Sequence, residues 1–243
     1  MAASERASRS ARPLPPRIRA CIYDLDDTIM ESERINDELF SDLLRREYGI
    51  DLTPAEQDYL YGFAWSGVFD WLRENRGLKR HREAIWARFL EIKRGFLKGQ
   101  RLRVATGLDR MLALPVPHAI VTGSTREEIR MMMENARLPA EAFAFILSDE
   151  DCDRGKPDPE GYLRALKRLG AAAGEVVVFE DSLPGIQAAR SAGIVVAFIA
   201  ELASRDRAAE ADVRFDTFSD AWMAVKERIR AAADPREPAA MRR

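Results

Sequence analysis

The spacing of hydrophobic residues changes along the chain, and the change predicts two kinds of structure. Residues 19–24 form a short, largely apolar run that ends in an acidic residue, a pattern typical of a buried strand. From about residue 31 to residue 103 the apolar residues recur at helical spacing, and no strand-like run interrupts them. Thr53 and Glu56 are spaced as a capping box that begins one of these helices. The segment 31–103 is therefore predicted to be entirely helical.

Beyond residue 104, strand-like and helix-like patterns alternate. The predicted strands cover residues 118–121, 144–147, 176–179 and 194–199, and helical patterns separate them. Strands that alternate with helices are typical of a parallel sheet whose two faces are covered by the helices. We therefore predict an α/β protein with a doubly wound, Rossmann-like parallel sheet.

The two patterns together predict a domain organisation. Residues 17–30 and 104–231 would form the α/β core, and residues 31–103 would form a helical cap domain inserted after the first strand. Ligands of open α/β sheets bind outside the carboxyl ends of the strands, so the inserted cap would lie over such a site. Residues 1–16 are predicted to be a disordered tail because they hold little apolar content, and residues 232–243 a second tail.

Two acidic residues follow the first predicted strand. Asp24 and Asp26 are two positions apart, so in extended chain their side chains point to the same side of the sheet. Two carboxylates held so close repel each other unless a cation lies between them or one takes a proton. The pair predicts a divalent cation, two acids of unequal pKa, or both. The alternative is an acidic turn in which Thr28 begins a helix.

Further polar residues lie at or shortly after the ends of the other predicted strands. They are Thr122, Gly123 and Ser124, then Lys156, then Glu180 and Asp181. Because the carboxyl ends of parallel strands meet at one edge of a sheet, we expect these residues to be neighbours in space. Taken singly, each has a structural alternative, as a helix cap or as a solvated loop residue. Their order along the chain favours one common site.

These residue types suit phosphate chemistry. Three carboxylates supply the oxygen ligands that Mg²⁺ prefers. A lysine, a hydroxyl group and the backbone N–H groups at a helix start suit a phosphate. An aspartate can attack phosphorus and form an aspartyl-phosphate, provided that cations offset the repulsion between carboxylate and phosphate. A second aspartate can then give a proton to the leaving oxygen and take one from water.

Composition excludes several classes of function. The 243 residues hold 38 Lys and Arg against 40 Asp and Glu, with no basic stripe, so we expect no nucleic-acid partner. The longest apolar run is too short to cross a membrane, and no membrane partner is expected. The two cysteines, Cys21 and Cys152, make no disulfide framework, so a reducing, cytoplasmic location is expected. With two histidines, any metal should be hard and oxygen-bound.

Four short motifs carry a resemblance to a known family. They are Asp24-Leu25-Asp26-Asp27-Thr28, Thr122, Lys156 in Gly-Lys-Pro-Asp-Pro-Glu, and Glu180-Asp181-Ser182 followed by Pro184-Gly185-Ile186. In this order the set resembles the haloacid dehalogenase superfamily over about residues 18–230. The last motif and the helical insertion are similar to the group that contains β-phosphoglucomutase and many sugar-phosphate phosphatases.

The resemblance implies roles for these residues. Asp24 would be the nucleophile and Asp26 the acid/base, with Thr122 and Lys156 also in the catalytic set. The Mg²⁺ site would comprise Asp24, the backbone carbonyl of Asp26, and Asp181, with Glu180 nearby. The core residues expected to contact phosphate or substrate are Thr122, Gly123, Ser124 and Lys156.

The cap is expected to choose the substrate. By resemblance to the specificity loop of the group, the turn that holds Gly62 and Trp65 would face the core site and contact the substrate. The alternative is that Phe63 and Trp65 pack in the cap's own core.

The expected function is that of a monomeric, Mg²⁺-dependent phosphatase of a small phosphorylated metabolite, foremost a sugar phosphate. A phosphosugar mutase and a non-catalytic binding protein of the same fold are the alternatives. Asn36 stands where the mutases carry a histidine in the first cap helix, which favours the phosphatase, unless Asn36 lies on a solvated helix face. Asp27 replaces the glycine that usually follows the second aspartate, a change that other members of the family tolerate.

Overall fold

A single parallel sheet forms the centre of the core domain. The structure, a computed structural model, describes residues 11–79 and 81–233. The strands are β1 (Ala20–Tyr23), β2 (His118–Val121), β3 (Phe145–Leu147), β4 (Val176–Glu180), β5 (Val195–Ile199) and β6 (Val213–Phe215). Their order across the sheet is β3-β2-β1-β4-β5-β6, and all pairs are parallel. The strand order reverses beside β1, which opens a crevice at the carboxyl ends of β1 and β4.

Helices cover both faces of the sheet, as the alternating pattern predicts. Those of the core domain are α5 (Leu108–Leu112), α6 (Arg126–Ala136), α7 (Glu160–Leu169), α8 (Leu183–Ser191) and α9 (Phe218–Ala233). Successive residues of β1 enter opposite hydrophobic cores: Tyr23 packs on the face that holds Phe218 of α9, and Ile22 on the face that holds Ile186 of α8. The strand is buried on both sides, and the predicted α/β, doubly wound fold is confirmed.

The segment between β1 and α5 is helical. Its helices are α1 (Glu33–Tyr48), α2 (Pro54–Leu60), α3 (Trp65–Arg76) and α4 (Arg82–Leu97). They share a hydrophobic core of their own, centred on side chains such as Leu72 and Phe89. The predicted capping box is present at the start of α2, where Thr53 accepts from the Glu56 N–H and Glu56 accepts from the Thr53 N–H. Met30 and Val104 pair as an antiparallel bridge where the cap joins the core.

Two sequence expectations differ from the structure. Residues 11–16 do not behave as part of a tail, because Leu14 is buried in the core and Arg12 pairs with the carboxylate of Asp212 at 2.8 Å. The rest of the predicted tail, residues 1–10, lies outside the described residues, as do residues 234–243. The edge strand β6 was not predicted, since its half-exposed residues and central Arg214 give no apolar run. Within the described ranges, no helix is both long and apolar enough to cross a membrane.

Candidate active site

The strand-end residues meet at the crevice beside β1, and a lysine joins two of them. Asp24 directly follows β1, and its N–H donates to the carbonyl of Phe179 on β4 at 2.9 Å. Lys156 comes from the loop before α7, and its Nζ lies 2.6 Å from both Asp24 Oδ1 and Glu180 Oε1. All three side chains are buried. Burial lowers the pKa of Lys156, but Asp24 and Glu180 outweigh that effect and hold it well above its usual value.

Three buried carboxylates lie together at this point and fit a divalent cation. Asp24, Glu180 and Asp181 each offer an oxygen, and these oxygens lie within 4.8 Å of one another. Burial raises the pKa of Asp24 to about 8 and that of Asp181 well above its usual range, because desolvation and the neighbouring carboxylates disfavour the charge. A cation among these oxygens would offset that repulsion. An all-oxygen donor set of this kind suits Mg²⁺.

Glu180 is already saturated by donors from the protein. Its Oε1 accepts from Lys156 and from the Tyr162 hydroxyl, and its Oε2 accepts from the Asp181 N–H and from Ser182, at 2.6–3.0 Å. Gly185 leaves the necessary room, since a Cβ there would lie 1.6 Å from Glu180 Oε1. The geometry therefore favours Asp24 and Asp181 as cation ligands, with Glu180 fixing Lys156 and the loop that bears Asp181.

The carboxylate of Asp26 points away from that cluster and is held by hydroxyl groups. Its Oδ2 accepts from Ser124 Oγ at 2.7 Å and from Thr122 Oγ1 at 3.4 Å, and its Oδ1 accepts from Ser32 Oγ at 2.6 Å. Within the described residues, the acidic cluster that could hold a metal does not include this carboxylate. The roles expected for Asp26, a backbone carbonyl offered to the cation and a carboxylate that transfers a proton, stay predictions.

Asn36 lies directly over Asp26. The residue is 2% exposed, and its Nδ2 donates to Asp26 Oδ1 at 3.4 Å. The alternative that Asn36 lies on a solvated helix face is therefore wrong. Helix α1 of the cap instead places this amide against the expected acid/base.

The cap turn at residues 62–64 contacts the core on both sides of the crevice. A Cβ at Gly62, which has a φ of 78°, would lie 2.4 Å from Ser182 Cβ. A Cβ at Gly123 would lie 2.8 Å from Ala64 Cα, so the turn rests on the loop that follows β2. Both positions need a glycine for this close approach. The turn thus lies against the core at the cavity, and its contact with substrate stays a prediction.

Trp65 combines the two roles that the sequence left open. Its ring packs among the aromatic side chains of the cap core, with centroid distances of 4.7 Å to Trp86 and 4.9 Å to Phe40. The indole Nε1 donates to Glu128 Oε2 on core helix α6 at 2.9 Å. The same side chain also borders the cavity between cap and core.

That cavity contains most of the predicted site. The core side is lined by Asp24, Asp26, Thr122, Gly123, Ser124, Lys156, Asp181 and Ser182. The cap side is lined by Asn36, Asp37, Phe40, Ser41, Leu52, Gln57, Leu60, Tyr61, Gly62, Phe63, Trp65 and Val68. The predicted reacting groups therefore lie on the core side of this cavity, its floor, and the opposite side belongs to the cap.

Sequence reasoning undervalued Asp27 and missed Tyr61. Asp27 is fully buried with a φ of 54°, a left-handed conformation that suits glycine and that aspartate tolerates better than most residues. Its carboxylate accepts from the Ser32 N–H at 3.0 Å and from the Tyr61 hydroxyl at 3.1 Å, and it also contacts Ser204 Oγ. The Tyr61 hydroxyl lies 2.7 Å from Asp181 Oδ2. In the sequence, Asp27 could have been recognised as a third acid next to Asp26. No sequence feature distinguishes Tyr61 from any other tyrosine in a turn.

Comparison with known proteins agrees with this geometry. The model of the haloacid dehalogenase-like hydrolase family matches residues 21–199, which include the four motifs. The chain belongs to this family. The predicted family membership is thus confirmed.

Individual proteins that are similar to the chain include two named phosphatases and one solved structure. Validoxylamine A 7'-phosphate phosphatase of Streptomyces hygroscopicus subsp. limoneus is 27% identical over 80% of this chain and 92% of that protein. The phosphorylated carbohydrates phosphatase of Thermotoga maritima is 28% identical over 73% and 82%. The structure of CbbY from Rhodobacter sphaeroides with phosphate has the same fold, with a TM-score of 0.67 at 20% identity over 84% and 96% of the two chains. The prediction of a haloacid dehalogenase-type phosphoric monoester hydrolase is confirmed at this level.

Proposed function

We propose that this hydrolase is a Mg²⁺-dependent phosphatase that cleaves a small phosphorylated metabolite, foremost a sugar phosphate, through an aspartyl-phosphate on Asp24. The observation that carries the proposal is the placement of Asp24 at the cavity floor, 2.6 Å from Lys156 and among three buried carboxylates. The phosphatase relatives, one named for a validoxylamine phosphate and one for phosphorylated carbohydrates, support the same substrate class.

The chain's own residues suffice to assign the steps. Asp24 attacks phosphorus, so that a bond to its oxygen forms while the bond to the leaving oxygen breaks. Lys156 reduces the repulsion between carboxylate and phosphate, and Thr122 and Ser124 lie where the phosphate oxygens would be received. Bound by Asp24 and Asp181, Mg²⁺ would supply further charge neutralisation. Asp26 protonates the leaving oxygen and later takes a proton from the water that releases phosphate.

A colorimetric phosphatase assay tests the proposal. The purified chain should hydrolyse para-nitrophenyl phosphate with Mg²⁺, and excess chelator should stop the reaction. Asp24→Asn should abolish turnover, because an amide is a poor nucleophile. Asp70→Asn is the matched control, since Asp70 is an exposed cap residue paired with Arg73, and it should keep full activity. Full activity of the wild type in excess chelator would contradict the proposed metal dependence.

The position of Asn36 favours hydrolysis over phosphoryl transfer within a mutase cycle. An asparagine can donate a hydrogen bond to Asp26 but does not titrate near neutral pH, so it cannot link protonation to cap closure as a histidine can. Water should then win the competition for the phospho-enzyme. With β-glucose 1-phosphate and catalytic glucose 1,6-bisphosphate, free phosphate should form and glucose 6-phosphate should not. If glucose 6-phosphate formed faster than free phosphate, the protein would be a mutase and the phosphatase assignment would be wrong.

A further inference from the structure

The charges around the cavity limit what can be attached to the reacting phosphate. We propose that the substrate is the monophosphate of a neutral hydroxylated molecule, with no second phosphate and no carboxylate. This inference rests on the proposed phosphatase function, and it concerns the part of the substrate that the cap contacts.

Among the residues that the structure describes, the cap side of the cavity offers no cation to a second anionic group. Among the described residues that line the cavity, Lys156 is the one basic side chain. Its Nζ is already 2.6 Å from Asp24 and from Glu180, on the cavity floor where the reacting phosphate is expected. Recognition of a further phosphate or carboxylate normally uses arginine or lysine.

A basic group behind the cap wall, Arg205, is committed to carboxylates. The guanidinium of Arg205 stacks 3.9 Å from the centroid of the Tyr61 ring and is not among the cavity-lining residues. It pairs with Asp58 at 2.7 Å and with Asp37 at 3.6 Å. Two carboxylates therefore meet this one guanidinium, and Arg207 adds a second cation only at Asp58.

An acidic group borders the space where a distal part of the substrate would lie. Asp37 of α1 lines the cavity wall, one position from Asn36. A second phosphate or a carboxylate placed there would lose water and meet like charge, without a partner to compensate. The cavity therefore selects against additional negative charge.

The remaining cap residues suit a neutral, hydroxylated molecule. Asn36, Ser41 and Gln57 bring amide and hydroxyl groups to the cavity, and Gln57 Nε2 donates to Ser41 Oγ at 3.2 Å. Aromatic and aliphatic side chains such as Phe40 and Leu60 fill the wall between them. Amide and hydroxyl groups hydrogen-bond sugar or polyol hydroxyls, while the apolar side chains contact carbon atoms.

Matched substrate pairs test the inference. With Mg²⁺ present, we would measure kcat/KM for glycerol 3-phosphate against 3-phosphoglycerate, which differ by a hydroxymethyl group against a carboxylate. Fructose 6-phosphate against fructose 1,6-bisphosphate forms the second pair. The neutral member should be favoured by about tenfold or more in each pair, since like charge in a desolvated site opposes binding. Equal or better turnover of the anionic members would overturn the inference.

Substitutions in the cavity wall test whether its residues cause the preference for neutral substrates. Asp37→Asn and, independently, Gln57→Arg should each raise kcat/KM for the anionic member relative to its neutral partner by several-fold. Asp42→Asn is the matched control, because Asp42 also lies on α1 but pairs with Arg45 and Arg46 outside the cavity. An equal change of the ratio in Asp42→Asn, or no change in either cavity variant, would contradict the assignment to the cavity wall.

A binding measurement separates this inference from the proposed function. Asp24→Asn protein, titrated with the same two pairs in a calorimeter, reports the charge preference without turnover. Tighter binding of the neutral members supports the inference, and equal or tighter binding of the anionic members overturns it. Failure of the wild type to hydrolyse para-nitrophenyl phosphate would instead count against the phosphatase function itself.

Discussion

Two of the ion-paired contacts between cap and core differ in their exposure to water. In the first, Lys93 Nζ of α4 lies 2.5 Å from Glu128 Oε1 of α6, and both side chains are fully buried. In the second, Arg205 and Arg207 of the core pair with Asp58 of α2 at 2.7 and 3.0 Å, and the side chain of Asp58 is 54% exposed. The two contacts should therefore differ in how much they contribute to the free energy of unfolding.

The buried contact contributes mainly to stability. Glu128 also accepts from the indole of Trp65 at 2.9 Å, so one carboxylate ties together α4, α6 and the first residue of α3. Burial raises the pKa of Glu128, although Lys93 works against that rise. Removing one partner would leave the other charge desolvated and unpaired, which is far more costly than breaking an ion pair in water.

The exposed contact contributes little to stability but lies close to the chemistry. Water and salt compete with its ion pairs. Arg205, however, stacks on Tyr61, and the hydroxyl of Tyr61 lies 2.7 Å from Asp181, one of the expected cation ligands. We therefore expect the buried pair to stabilise the cap–core junction, and the exposed contact to act on the position of the cap turn that carries Tyr61.

The largest expected effect is that of Lys93→Met. The free energy of unfolding, measured by urea denaturation at pH 7, should fall by about 3–5 kcal/mol, because Glu128 is left buried without its cation. Since the folded-state pKa of Glu128 is raised, the neutral acid is favoured in the folded protein, and the variant should regain stability as the pH falls toward about 4.5.

Two controls sharpen the test of the buried pair. Lys98→Met removes an exposed lysine just beyond α4 and should leave stability nearly unchanged. Lys93→Met combined with Glu128→Leu removes both charges and should recover most of the loss. A loss below about 1 kcal/mol in the single variant would show that the buried pair does not stabilise the junction.

An intermediate effect is expected at Asp37, which is partly buried and pairs with Arg205. Burial raises the pKa of Asp37 to about 6, against the lowering effect of Arg205. A folded-state pKa above the unfolded value of about 3.9 means that the wild type loses stability as the pH rises from about 4 to 6. Asp37→Asn removes this loss, so its stability relative to the wild type should rise across that range by roughly 1 kcal/mol, given screening at a 36% exposed side chain.

Asp42 is the matched control for Asp37, because its pKa is shifted in the opposite direction. Hydrogen bonding to Arg45 lowers the pKa of Asp42, so that the ionised form stabilises the folded protein above the unfolded pKa. Asp42→Asn should therefore lose stability relative to the wild type mainly as the pH rises toward the unfolded value of about 3.9, and its difference from the wild type should change little between pH 5 and 7. Urea denaturation at pH 4, 5, 6 and 7 measures both variants, and parallel curves for the two would refute the contrast.

The sequence was sufficient for features that depend on local pattern. Strands buried on both faces, such as β4 and β5, read as continuous apolar runs, and Asp24 and Asp181 follow from the rule that strand ends meet at one edge. The edge strand β6 is half exposed and breaks that pattern with Arg214. The burial of Leu14 could not be predicted either, because it is a single apolar residue among Arg and Pro residues and forms no periodic pattern.

Features that depend on the cap's position could not be read from the chain. Lys93 and Glu128 are separated by other elements and look like ordinary charged helix residues until α4 packs on α6. Likewise, the residues next to Tyr61 in the sequence do not indicate that its hydroxyl contacts Asp27 and Asp181. Such contacts need the relative placement of two domains, and the hydrophobic period of each domain carries no information about it.

The smallest effect on stability, and the most specific effect on activity, is expected for Asp58→Asn. The change removes the carboxylate that pairs with both Arg205 and Arg207, yet its site is exposed, so the free energy of unfolding should change by less than about 1 kcal/mol. With Arg205 held less firmly on Tyr61, the cap turn should close less readily, and KM for a sugar phosphate should rise a few-fold at low salt. Sodium chloride screens the wild-type contact in the same way, so the ratio of the variant's KM to that of the wild type should fall toward one as salt increases. Asp70→Asn removes an equal charge from a part of the cap that pairs only within its own helix, and its KM ratio should stay near one at every salt concentration. A salt-independent ratio for Asp58→Asn would mean that the exposed ion pairs do not control the position of the cap.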